Sequence, residues 1–173
     1  SGFTSGSPKQ LTGTITNPQY STAKSPYGFD INPDKWTIET TDNTNISQAS
    51  PVQNTWYNAI SFSIPIGSWN VEYFAELYAN RSTGLGQCHV QRTLSTANNS
   101  ESDNEFHVEV FGEAEVAGVL TEAGGIAYRR KILFLLSKTT YFLNYRTVIT
   151  NIDCIIVVGA NTKTIIRAIC AYL

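Results

Sequence analysis

YNAISFSIPIGSWNVEYFAELY, residues 57–78, alternates apolar and polar side chains on either side of a central turn. Side chains two apart in a β-strand point to the same face, so the alternation predicts two strands that each bury one face. The buried positions are expected to be Ile60, Phe62 and Ile64 before the turn and Val71, Tyr73, Ala75 and Leu77 after it. Pro65 presets its φ for a tight turn, and Gly67 tolerates a positive φ. The stretch therefore predicts a hairpin of two long antiparallel strands.

The overall composition is that of a single globular domain with few charges. The chain has 173 residues, of which 15% are charged, and a net charge of −2. Globular proteins average about 25% charged residues. No basic patch stands out, so we expect no nucleic-acid partner. No apolar segment is long enough to insert into a membrane, and no signal peptide is recognisable.

Neither cysteine nor histidine spacing indicates a metal or cofactor. The three cysteines, Cys88, Cys154 and Cys170, lie in apolar or alternating runs and form no zinc-ligand pattern with the two histidines. Buried, reduced cysteines acting as small hydrophobic residues are the expectation. We therefore expect no metal and no cofactor.

The chain divides by composition into two parts. Residues 1–53 are rich in Gly, Ser, Thr, Asn and Pro, which predicts an N-terminal extension or a segment next to a stalk. Residues 54–173 contain alternating or apolar runs separated by polar loops, and no amphipathic helix of useful length. This second part is expected to be an all-β domain, an antiparallel β-sandwich of the jelly-roll kind.

The C-terminal strands differ from the earlier ones because they are apolar on both faces. Residues 132–136 (ILFLL) and 155–158 (IIVV) lack a polar face, and the run from residue 164 interrupts its apolar faces only at Arg167. An exposed sheet normally keeps one polar face. We therefore expect a homo-oligomer with an interface that includes Tyr141, Tyr145, Ile165, Arg167 and Ile169. The alternative is a monomeric sandwich in which a loop covers these strands.

The same residues resemble a known family. SFSIPIGSWNVEYFAELYA (61–79), KTTYFLNYRT (138–147) and TIIRAICAYL (164–173) are similar to the strands of C-terminal domains on bacteriophage tail fibres and tailspikes. The resemblance covers residues 58–173 and implies a homotrimeric jelly roll of the tumour necrosis factor and C1q kind. It also implies a virion protein of the phage tail, folded in the host cytoplasm, which trimerises the fibre and binds a host receptor.

No catalytic arrangement is apparent. The sequence has no GxSxG nucleophile motif, and His89 and His107 both lie on presumed strands beside polar neighbours. Glu72 and Glu76 share a strand face but lie about 13 Å apart along it, which is too far for a pair of glycosidase carboxylates. We therefore predict that the protein is not an enzyme.

Receptor binding remains, with a bacterial cell-surface glycan or an outer-membrane component as the partner. Glycan sites combine exposed aromatic rings with amide and guanidinium groups. In turn-rich segments the candidates are Tyr20, Tyr27, Trp36, Asn80, Arg81, Asn98 and Asn99. Each aromatic ring alternatively packs its own loop. Two other functions stay open: a purely structural trimerisation module without a ligand, and a secreted ligand of the C1q or tumour necrosis factor kind.

Overall fold

The computed structural model describes residues 37–44, 46–81, 86–114, 121–156 and 163–171. The chain divides into two compact units, Ser1–Ile38 and Glu39–Leu173. Ten strands form in the described residues: β1 (Thr37–Asp42), β2 (Ser47–Ala49), β3 (Tyr57–Ile64), β4 (Gly67–Arg81), β5 (Gly86–Ser95), β6 (Val108–Ala114), β7 (Thr121–Leu135), β8 (Thr139–Thr147), β9 (Cys154–Ile156) and β10 (Thr164–Cys170). A single turn of 3-10 helix, Asn104–Phe106, precedes β6.

The strands form two antiparallel sheets, which confirms the predicted all-β sandwich. Sheet 1 has the order β1-β10-β4-β9-β2, with β7 also paired to β4. Because β7 follows one edge of β4 along its whole length, β9 and β10 share the opposite edge. Sheet 2 has the order β3-β8-β5-β6. The predicted boundary between residues 53 and 54 stays a prediction; β1 and β2, which precede it, both pair in sheet 1.

The alternation in residues 57–78 sets the buried faces as predicted except at Ile60, which is half-buried beside a bulge, and the hairpin prediction was wrong. Val71, Tyr73, Ala75 and Leu77 are fully buried, and Phe62 and Ile64 are buried as well. However, β3 pairs with β8 in sheet 2, whereas β4 pairs in sheet 1. The turn therefore carries the chain from one sheet to the other. Gly67 has a φ of 136°, and the indole Nε1 of Trp69 donates to the carbonyl oxygen of Pro65 at 3.0 Å, which fixes this crossing.

Rings from the two sheets meet in the core. The hydroxyl of Tyr73, on sheet 1, donates to the backbone carbonyl of Phe106 at 2.6 Å. The Phe106 ring lies between the rings of Tyr73 and Tyr141, with centroid distances of 6.4 and 6.5 Å. The phenol thus satisfies a buried carbonyl while its ring packs in an apolar layer.

Arg92 lies fully buried on the inner face of β5, on the same side of the strand as Cys88 and Val90. Burial lowers the pKa of Arg92 to about 10. The nearby phenols of Tyr73 and Tyr145 act in the opposite direction, because they favour the charged form. The guanidinium therefore stays protonated at neutral pH inside the sandwich. The sequence gives no sign that a full charge is enclosed there.

The polar loop between β5 and β6 folds over the outer surface of sheet 2. Asn144, which is fully buried, donates from Nδ2 to the carbonyls of Ala97 at 2.9 Å and Ser100 at 2.7 Å. Lys131 on β7 pairs with Asp103 at 2.6 Å and also with Glu105. These contacts explain why a segment with no large apolar residue before Phe106 still has a defined position.

Candidate functional site

The outer face of sheet 1 is a three-stranded surface with a regular arrangement of side chains. Three rows cross β10, β4 and β7 in that order: Ile165, Phe74 and Tyr128; Arg167, Glu72 and Arg130; Ile169, Asn70 and Ile132. The alternation along β4 buries its odd-numbered residues and turns the even-numbered ones outward. Apolar side chains therefore lie on both sides of one charged row.

This face exposes more apolar surface than an isolated sandwich normally tolerates. Among the described residues, eight large apolar side chains are exposed, and five of them lie on β7 or directly after it. They are Ile126 at 57%, Tyr128 at 46%, Ile132 at 56%, Phe134 at 79% and Leu136 at 93%. Contiguous exposed apolar side chains of this kind mark protein interaction sites. We call these five residues, with Phe74, Ile165 and Ile169, the apolar face.

The edge of β7 adds to the unusual character of this surface. β7 is 15 residues long and, among the strands of the described residues, pairs only with β4. Long exposed edge strands are usually shortened, charged or covered in soluble proteins, because their unpaired backbone groups recruit other chains. Here β6 of sheet 2 lies near β7, with Val110 beside Gly125, so it is the apolar face that lacks a partner in the described residues.

Three of the charged side chains on the outer face of sheet 1 pair with one another. Arg167 contacts Glu39 through Nε at 2.6 Å and Glu72 through Nη1 at 3.2 Å. The hydroxyl of Tyr128 donates to Glu72 at 3.2 Å. The hydrogen bond with Glu39 is the main reason why the pKa of Arg167 is raised. If a partner covered this face, Arg167, Glu39 and Glu72 would remain paired with one another. Proteins tolerate buried ion pairs under this condition.

The residues predicted for the subunit interface separate into two groups. Ile165, Arg167 and Ile169 lie half-buried on the apolar face, where a second copy can reach them. Tyr141 and Tyr145 are 5% and 2% exposed and lie in the core of the single chain. Their assignment to the interface needs correction, because β8 turns these rings toward sheet 1. The sequence showed that the two tyrosines share a face but not which face is outside.

A second candidate site lies on the outer side of sheet 2 and consists of polar side chains held by one another. We call it the histidine network; its members are His89, Gln91, Glu101, His107, Glu109 and Arg146. His107 contacts Glu101 through Nδ1 at 2.6 Å and Glu109 through Nε2 at 3.1 Å. Gln91 donates to Glu109 at 2.5 Å and accepts from Nε of Arg146 at 2.7 Å. Both histidines of the chain thus converge on one carboxylate, since Nε2 of His89 is 3.5 Å from the second oxygen of Glu109.

Aromatic rings border the histidine network on two sides. The guanidinium of Arg146 lies 4.3 Å from the ring centre of Trp56, a cation–π geometry. The imidazole of His89 stacks on Phe111 at 4.0 Å between ring centres, with an interplanar angle of 29°. Phe111 is 59% exposed, so much of its ring faces solvent.

The network shifts the ionisation of two of its members in a consistent direction. Burial lowers the pKa of His89, although Glu109 opposes this effect. Burial alone would raise the pKa of Glu109, but the hydrogen bonds from His107 and Gln91 outweigh it and hold that pKa below its usual value. Glu109 is therefore an ionised acceptor at neutral pH.

The predicted receptor-binding residues do not form one site. Asn80 and Arg81 end β4, where Nη1 of Arg81 donates to the carbonyl of Gln87 at 3.2 Å. Asn98 and Asn99 are exposed in the loop after β5, and Asn99 has a φ of 53°. The two pairs lie at opposite ends of β5, about 30 Å apart at the rise of a β-strand. Tyr20, Tyr27 and Trp36 lie outside the described residues.

Sequence reasoning missed the histidine network because its members come together only through strand pairing, and Arg146 lies on a third strand. His89 and His107 were noted as strand residues with polar neighbours, but the sharing of Glu109 depends on the pairing of β5 with β6. The one available signal was that both histidines and both glutamates lie within 21 residues, on either side of a single polar loop. That pattern brings them together only if the two strands form a hairpin.

The described residues offer neither a membrane-spanning helix nor a metal cluster. They contain no helix that is both long enough and apolar enough to span a bilayer. Over the same ranges, no group of three or more His, Cys, Asp or Glu side chains is arranged to hold a metal ion.

Comparison with known proteins does not identify a family. No family model matches the chain, and no curated protein is significantly similar. Among solved structures, the Gx strain of infectious bursal disease virus matches at a TM-score of 0.29 and 11% identity, over 78% of this chain and 32% of that one. T=1 particles derived from the same virus match at a TM-score of 0.24 and 10% identity, over 82% and 37% of the two chains. The chain thus spans about a third of these proteins, and scores this low do not establish a common fold.

Proposed function

We propose that the chain is the distal domain of a phage tail fibre or tailspike, a homotrimer that binds a receptor on the host cell surface. The single observation that supports the assembly is the apolar face. The assignment to a phage tail follows from the sequence resemblance of residues 58–173. On this proposal the domain is a virion component without enzymatic activity.

A second copy of this chain is the occupant that best fits the apolar face. Its apolar side chains extend across three strands, and Arg167 of its charged row is already paired with Glu39 and Glu72 within one subunit. A second copy would therefore meet Arg167, Glu39 and Glu72 as a group whose charges are already paired within one subunit. Self-association also explains why the apolar residues lie on β7 and β10, which the sequence marks as apolar on both faces.

The test is the native mass of the full chain in solution, measured by light scattering at micromolar concentration. The subunit mass is 19.1 kDa, so a trimer has three times that mass, about 57 kDa. A monomer would refute the assembly, and a dimer would refute the trimer while leaving the apolar face as the contact. Binding of the labelled protein to intact host bacteria tests the receptor function separately.

The structural alternative makes a different prediction in the second assay. A trimerisation module without a ligand gives the same mass but no saturable binding to any bacterial surface. A secreted ligand of the C1q kind binds animal cells and not bacteria. The two assays together therefore distinguish the three functions.

A further inference from the structure

We propose that the surface around Phe111 and Glu109, on the outer side of sheet 2, is a binding site for a neutral pyranose ring of a glycan. This inference depends on the receptor-binding part of the proposed function and gives it a location. The site differs from the loops that the sequence indicated.

The exposed aromatic rings lie on two kinds of surface, one with apolar neighbours and one with polar neighbours. Tyr128 and Phe134 belong to the apolar face, where Ile126, Ile132 and Leu136 are their exposed neighbours. Such rings suit a protein partner, because their exposed neighbours are apolar. Phe111 is the exposed ring with polar, ordered neighbours on its own sheet. An aromatic ring flanked by fixed hydrogen-bonding groups suits a ligand that is apolar on one side and hydroxylated at its edge.

Phe111 offers one face of its ring. The other face is covered by the imidazole of His89, 4.0 Å away between ring centres. Since the side chain is nevertheless 59% exposed, the solvent contact belongs to the remaining face and the ring edge. Among the described residues β6 pairs only with β5, and β7 lies near it on the side of Val110, which points away from Phe111. The C–H groups of a pyranose can pack flat against this face.

Glu109 supplies the polar part of the site. It precedes Phe111 by two residues on β6, so both side chains point to the same face, about 7 Å apart. One carboxylate oxygen accepts from Gln91 and His107, and the other has His89 as its neighbour at 3.5 Å. The second oxygen keeps acceptor capacity for a hydroxyl group. A ring stacked on Phe111 places its hydroxyls at the distance of this carboxylate.

The histidine network holds this carboxylate in position before any ligand arrives. Glu101 fixes His107 at 2.6 Å, and Arg146 fixes Gln91 at 2.7 Å. Partly exposed ion pairs of this kind contribute little to folding stability. Their ordering does reduce the entropy cost of ligand binding, because Glu109 has few rotamers left to lose. The carboxylates of Glu101 and Glu109 also disfavour acidic sugars, which restricts the ligand to neutral rings.

The experiment is saturation-transfer NMR on the full chain with glucose, galactose, mannose and N-acetylglucosamine as separate probes. We expect saturable binding of at least one sugar in the millimolar range. Phe111→Leu removes the aromatic face but keeps an apolar side chain, and should weaken that binding about five- to tenfold. Phe111→Tyr keeps the ring and should retain it. Phe134→Leu makes the same replacement on the opposite sheet and keeps an apolar side chain on the apolar face, so it is the matched control and should leave the affinity unchanged.

Either of two results overturns the inference: no saturable signal with any of the four sugars, or equal affinities of Phe111→Leu and the wild type. Each variant is checked for its fold by circular dichroism, and Phe111 is exposed enough for its replacement to be tolerated. Failure here is distinguishable from failure of the proposed function. If Phe111→Leu still binds host cells as the wild type does, the receptor site lies elsewhere, whereas loss of the trimer would appear only in the mass measurement.

Discussion

Phe134→Glu is expected to convert the assembled protein into monomers with an unchanged fold. Phe134 is 79% exposed in the single chain. A phenylalanine side chain has about 200 Å² of accessible surface, so its burial in an interface removes about 160 Å² from water. At about 25 cal/mol per Å², this contributes about 4 kcal/mol per subunit, or close to a thousandfold in affinity. A glutamate at this position adds the cost of an unpaired buried charge.

Light scattering at micromolar concentration, together with far-ultraviolet circular dichroism, measures this effect. The mass should fall from that of the trimer to 19.1 kDa while the spectrum stays the same. Phe111→Glu is the matched control, since it places the same charge on an exposed phenylalanine of the other sheet, and its mass should not change. The reasoning is refuted if the wild type is monomeric or if Phe134→Glu remains assembled. A monomeric wild type that loses thermal stability on this substitution would show that the face is covered within one chain.

Three further predictions concern the stability of the single chain. Tyr73→Phe leaves the carbonyl of Phe106 without its 2.6 Å donor and should lower the free energy of unfolding in urea by about 1–3 kcal/mol; an unchanged midpoint would contradict the role of this bond. Asn144→Ala removes both donors to the loop after β5 and should make residues 96–102 sensitive to limited proteolysis while the sheets stay intact; continued resistance would show that other contacts hold the loop. Because burial lowers the pKa of His89, the unfolded chain binds a proton more tightly than the folded one. The free energy of unfolding is therefore highest above about pH 6.5 and declines as the pH falls below that value. His89→Gln should flatten this decline in urea unfolding, and an unchanged slope would exclude His89 as the cause of the pH dependence.

The burial pattern of individual strands was available from the sequence. Val71, Tyr73, Ala75 and Leu77 are all fully buried, as their alternation predicted. Cys88 and Val90 are buried on the inner face of β5 for the same reason. A strand with one face in the core must repeat with a period of two, so local sequence alone suffices for this feature.

Strand partners were not available from the sequence. The runs on either side of Pro65 look like the two arms of a hairpin, yet β3 pairs with β8, so Phe62 lies opposite Tyr141 across 78 intervening residues. Alternation specifies which side of a strand is apolar but not which strand lies next to it. The identity of the neighbour depends on packing over the whole domain, which no local pattern contains.

The sequence by itself determined that the protein is built of antiparallel strands, which side chains face inward on most of them, and that the later strands are apolar on both faces. Only the tertiary structure decided that this second apolar side lies on the outside of sheet 1, that Tyr141 and Tyr145 belong to the core, and that two histidines share Glu109. The physical reason is the distance along the chain between the residues that decide each feature. Burial within one strand follows from neighbours two residues apart, whereas a surface or a polar network forms from side chains that long-range pairing brings together.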